Sequence, residues 1–134
     1  MTTLEHIPAV GITGIMAEAL RVLSTNGVAV HFIDPSDHFA QTDETIPLIN
    51  FLRYSPHEWD QIASNDFTYC NRLRRSQLTD MLTQLGFRIE REEIEVDSRS
   101  VEEIAAGFPL HSSYLGMDPA DLSTVEMNVL LRRA

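Results

Sequence analysis

Two hydrophobic periodicities alternate along this chain. Ile15, Met16, Ala19, Leu20 and Leu23 recur at helical spacing and predict a short amphipathic helix that stops at Thr25-Asn26-Gly27. An unbroken apolar run follows, Val28-Ala29-Val30-His31-Phe32-Ile33, and ends on Asp34-Pro35. Such a run, β-branched and without clean alternation, predicts a strand covered on both faces. Gly27 and Asn26 both tolerate the positive φ that closes a helix, so the punctuation fits a helix-to-strand join. Upstream, Pro8 discourages a helix over Leu4 to Ile7, Gly11-Ile12-Thr13-Gly14 signals a turn, and Thr13 is an N-cap candidate.

Downstream, Asp34 to Asp43 reads as a polar loop. Ile46, Leu48, Ile49 and Leu52 sit at helical spacing with Pro47 in the first turn. Ser55-Pro56-His57-Glu58 is a capping box and predicts a short helix carrying Trp59 and Ile62. Asn65 to Asn71 reads as loop. Ser76 then caps a helix with Leu78, Met81, Leu82 and Leu85 on one stripe, closed by Gly86. Arg88 to Val96 is a charged strand in which Ile89 falls out of phase with Ile94 and Val96, which predicts a bulge or an edge position. Ser100-Val101-Glu102-Glu103 opens another helix, and Asp118-Pro119 caps a last helical turn. Val125, Met127, Val129 and Leu131 then alternate with mostly polar neighbours, giving a strand with one buried face.

Composition narrows the functional classes. The 134 residues bound a single domain with one modest core. A net charge of −10, with arginine as the only strong cation, argues against nucleic-acid and anionic-membrane partners. No apolar run reaches the ~20 residues of a membrane span, and no secretory pattern opens the chain, so the expected compartment is cytoplasmic. One cysteine, Cys70, allows no internal disulfide. Five histidines without local ligand spacing predict no metal site. Arg72, Arg74 and Arg75 form the one concentrated basic stretch and read as a solvated helix start, with an anion grip as the sharper alternative. His31 reads as packed, His57 and His111 as helix-start and loop residues.

One ordered series changes the picture: Leu4-Glu5-His6-Ile7, Glu18-Ala19-Leu20-Arg21-Val22-Leu23 with Gly27, Asp37-His38-Phe39, Asn50-Phe51-Leu52-Arg53-Tyr54-Ser55, Trp59, Asn71-Arg72-Leu73-Arg74, Leu82 to Phe87, and Val125 to Arg133. It resembles the C-terminal half of a class I S-adenosylmethionine-dependent methyltransferase of the small-molecule, type 11-like subgroup. Ser24, Thr25 and Asn26 stand where that family has lysine, proline and a first glycine. The resemblance implies an α/β fold: the fifth, seventh and sixth strands of a Rossmann-like sheet, the seventh antiparallel, with helices packed on them. Residues 1–134 would form one truncated domain lacking the cofactor-binding half. That half carries a Gly-rich turn and acidic residues for the ribose and adenine, and no such set occurs here.

By the same resemblance, Glu5 and His6 lie beside the methyl donor, and Asp34, Asp37, His38 and Phe39 lie on the acceptor side. His38 or His6 could take the acceptor's proton. S-adenosylmethionine is the family's cofactor, and the chain alone is expected neither to bind it nor to transfer a methyl group. The Val28–Ile33 strand would be an open apolar edge. It would be met by a second copy, in a homodimer with a sheet of about six strands, or by the missing N-terminal half. The competing reading is a small α/β oligomerisation or binding module without a methyltransferase role.

Overall fold

The computed structural model describes residues 2–63 and 69–134. Among these the chain forms α1 (Ala9–Val22), β1 (Ala29–Ile33), α2 (Pro56–Ile62), α3 (Arg75–Gln84), β2 (Phe87–Val96), α4 (Ser98–Ala105), α5 (Pro119–Leu122) and β3 (Thr124–Arg133). Short 3-10 turns span Leu4–His6, His38–Gln41, Asn50–Arg53 and Ser112–Tyr114. The three strands make one open sheet in the order β1-β3-β2. The last strand in sequence lies in the middle, antiparallel to both neighbours, so β1 and β2 run parallel to each other at the two edges.

Alternation along β3 decides which face is covered. Met127, Val129 and Leu131 are buried, and they share a core with Ile33 and Phe87, with Ile12 and Met16 of α1, and with Leu78 and Leu82 of α3. Both long helices therefore lie on one face of the sheet. The opposite face is open: Val30 is paired with Leu130 and Phe32 with Asn128, and Val30 and Phe32 are 50% and 55% exposed. This corrects the expectation of a strand covered on both faces. An apolar run records what a strand is suited to lie between, and among the described residues nothing covers its second face.

β2 behaves as its phase slip requires. Its register against β3 shifts between Ile89 and Arg91, and it lies at a sheet edge. Gly86 closes α3 at φ +100°. The Ser55 capping box forms in full, with Ser55 and Glu58 exchanging side-chain bonds to each other's backbone N–H at 3.2 and 2.8 Å. Asp118 caps α5 through the Ala120 N–H.

Several boundaries differ from the sequence reading. α1 starts directly after Pro8 and runs through Gly11 and Gly14. Thr13 is inside it, its hydroxyl donating to the Ala9 carbonyl. Two interior glycines cost roughly 1 kcal/mol each against alanine; full burial of Ile12 and Met16 on the sheet offsets that. The segment before Asn50 forms turns, and only the 3-10 turn Asn50–Arg53 is helical there. Arg74 occupies the N-cap position of α3, Asp97 caps α4, and Ser76 instead bonds Asp121. The loop expected over Asn65 to Asn71 lies largely outside the described residues.

A second core gathers Ile49, Phe51, Leu52, Trp59, Cys70, Tyr114 and Leu122. Its polar rivets are arginines. Arg72, at φ +59°, donates to the Phe51 and Tyr54 carbonyls at 2.9 and 2.7 Å. Arg74 is 1% exposed and donates to the carbonyls of Arg72, Leu122 and Pro35 at 3.0, 3.3 and 2.8 Å. Its guanidinium lies 5.2 Å from the Phe51 ring centre. Arg75 pairs with Glu92. The basic stretch is thus structural: two of its three cations hold loops together from inside the protein.

Candidate functional site

The site lies at the carboxyl end of β1, where the strand runs into Asp34. Asp34 Oδ1 accepts from the Ser36 N–H and hydroxyl at 3.0 and 2.5 Å, a local turn that starts the loop. Asp37, 1% exposed, caps the next 3-10 turn by accepting the Phe39 N–H at 2.9 Å. That turn carries His38 back over the strand end. His38 Nε2 is buried and makes no hydrogen bond among the described residues; the Asp34 carboxylate stands 3.5 Å away as an ion partner.

The Leu4–His6 turn arrives from the other end of the chain. Asn71 clamps it: its side-chain amide donates to the Leu4 and Ile7 carbonyls at 2.7 and 2.8 Å, and its own N–H donates to the Glu5 carbonyl at 2.8 Å. This holds His6 against His38, with ring centres 4.9 Å apart and edge-to-face. It also sets Cys70 Sγ 3.9 Å from His6 Nδ1. The Trp59 indole N–H fixes the Cys70 carbonyl at 2.8 Å. His6 Nδ1 contacts the Tyr69 carbonyl at 2.8 Å. A carbonyl only accepts, so Nδ1 carries the proton and Nε2 holds the lone pair in the neutral ring.

Charge in the site is uneven. Burial pushes the Asp34 carboxyl upward, but the neighbouring His38 ring and the bonds from Ser36 outweigh that and hold it down at about 2. The Asp34 carboxylate beside it, with a smaller contribution from Cys70, pushes His38 up to about 10 against its own burial. His38 is therefore an imidazolium at neutral pH, better suited to donate a proton or face an anion than to act as a base. Burial raises Asp37, opposed by the backbone N–H groups of Phe39 and Phe51. Glu5 is 3% exposed, and neither carboxylate oxygen has a hydrogen-bond partner among the described residues; His6 Nε2 stands 3.7 Å from one of them.

Glu5, His6, Asp34, Asp37 and His38 thus meet in one place, although the sequence separates them into two groups. Phe39 is adjacent but turned aside, edge-on to the Trp59 ring at 6.4 Å. Cys70 is the member that sequence reasoning left without a role. It lies 64 residues from His6, and no local spacing announces such a meeting. It also lines an open cleft of about 300 Å³ with Trp59, Tyr69, Arg72 and Tyr114. His31, inside β1, is held toward its neutral form by burial.

Three comparisons bear on what this site belongs to. No family model, no curated protein and no solved structure matches the chain. No helix among the described residues is long and apolar enough to cross a membrane. The functional reading therefore rests on the residues themselves. Of the six glycines, Gly11 and Gly14 lie within α1, Gly27 lies between α1 and β1, Gly86 and Gly107 follow helices, and Gly116 follows a 3-10 turn. Among the described residues none of them joins a strand to a helix, as a dinucleotide-type turn requires.

Proposed function

We propose that these 134 residues are the acceptor-side half of a Rossmann-like, S-adenosylmethionine-dependent methyltransferase, active only when a cofactor-binding half is supplied from outside them. One observation carries this reading: Glu5 and His6 converge with Asp34, Asp37 and His38 at the carboxyl end of β1. Open α/β sheets receive their ligands at that end of their strands. The strand order, with the last strand antiparallel between the other two, is what the resemblance to such enzymes expects. In this reading His38, as imidazolium, and Asp34 orient a small acceptor, and His6 Nε2 receives the acceptor's proton. The chain's residues do not fit the cofactor, so the transfer itself needs the other half.

The bare sheet face supports a partner that brings helices with it. A second copy added edge to edge would satisfy the β1 backbone but leave Val30 and Phe32 exposed; a half-domain would cover both. In isolation, the same strand pairs with a second copy.

Calorimetry tests this in two steps. The chain alone should show no micromolar binding of S-adenosylmethionine. Co-expressed with a polypeptide carrying a Gly-rich strand-turn-helix, it should bind the cofactor and transfer a labelled methyl group, and His6→Gln should slow that transfer. Micromolar cofactor binding by the lone chain would overturn the half-domain reading. A completed protein that neither binds nor transfers would leave the small α/β binding module as the function.

A further inference from the structure

We propose that His6, His38 and Cys70 bind a zinc-class divalent ion, with the buried Glu5 carboxylate balancing its charge. One ligand atom from each of the three residues lies within 4.8 Å of the other two. Ligands in a tetrahedral zinc site stand about 3.3–3.7 Å apart, so the set needs to contract by only about 1 Å. Two imidazoles and a thiolate select zinc, cobalt or copper and disfavour magnesium and calcium, which want oxygen.

Glu5 is the independent observation. A carboxylate at 3% exposure with both oxygens unpartnered among the described residues is costly unless a cation stands near it. One thiolate and one carboxylate together match the charge of a divalent ion. The outer contacts also have the form that metal-bound histidines use. His6 Nδ1 lies 2.8 Å from the Tyr69 carbonyl and 3.9 Å from Cys70 Sγ, and His38 Nε2 faces the Asp34 carboxylate; the ion would take one nitrogen of each ring and displace the proton that His38 carries. The three ligands sit on backbones already held by Asn71, Asp37 and Trp59, so little ordering accompanies binding. Three protein ligands leave a fourth position for water or a substrate atom, the pattern of a catalytic rather than a closed structural site.

This inference rests on the cluster's geometry and not on the methyl-transfer reading; with the ion bound, the His6 and His38 rings are ligands and do not handle the acceptor's proton. The test is titration of the whole chain, stripped with chelator and kept reduced, with cobalt(II) alone. One equivalent should bind and give a thiolate-to-cobalt charge-transfer band in the near ultraviolet, which zinc then abolishes by displacement. Cys70→Ser should remove the band. His6→Gln, at a side chain that is 35% exposed and so tolerant of change, should weaken binding at least about tenfold. Glu5→Gln should weaken zinc by about 10-fold through the outer shell, while His57→Gln and His111→Gln should leave it unchanged. Absence of the band in the parent protein, or binding that survives both Cys70→Ser and His6→Gln, would overturn the site.

Discussion

At the scale of single residues, the arginines carry more of the architecture than their place in the sequence suggests. Arg74 is wholly buried with no carboxylate bonded to it among the described residues, and burial pushes its guanidinium down to about 10. It remains charged at neutral pH because three carbonyls and the face of Phe51 replace its water. Arg74→Leu fills much of the volume but orphans those carbonyls, each worth roughly 1–3 kcal/mol, so urea denaturation should show a loss of about 3 kcal/mol or more. Arg74→Lys should recover little of it, because an ammonium cannot reproduce the planar fork that spans Arg72, Leu122 and Pro35. A lysine variant as stable as the parent would show that charge alone, without direction, suffices there.

Elements, in turn, separate two kinds of glycine. Gly86 closes α3 in the left-handed region, and a Cβ there would come within 3.2 Å of Leu20 on α1. Gly86→Ala should therefore cost about 1–2 kcal/mol, from the backbone penalty alone. Gly14 has ordinary helical geometry and open space around the position of a Cβ. Gly14→Ala should stabilise α1 by about 0.5–1 kcal/mol. Thermal unfolding of the two variants side by side checks both signs. A stabilised Gly86→Ala would mean that the α3–β2 corner adopts another backbone in solution.

For the whole molecule, the decisive feature is a sheet with helices on one face and apolar side chains on the other. Val30 and Phe32 are 50% and 55% exposed on an edge strand that pairs only with β3 among the described residues, and Val28, just before that strand, is 45% exposed. Such an edge favours association. Light scattering after size exclusion should report a dimer at micromolar concentration, and Val30→Lys combined with Phe32→Lys should convert it to monomer with little change in the buried core. A parent protein that is monomeric throughout would count against β1 as a docking strand.

Local free energies were legible in the sequence. The Ser55 capping box, the Gly86 stop, the phase slip of β2 and the alternation of β3 each depend on neighbours within a turn or a strand pair, and each formed where the pattern placed it. The N-terminal start of α1 did not, because the gain from seating Ile12 and Met16 on a distant sheet exceeds the penalty of two glycines. Nor could sequence say that Arg72 and Arg74 are buried, since the carbonyls that receive them come from Pro35, Phe51, Tyr54 and Leu122. The carboxylates and histidines of the site were visible one by one. Their meeting with Cys70 was decided by tertiary structure alone: Asn71 and Trp59 close long loops, and proximity across 64 residues leaves no trace in local spacing.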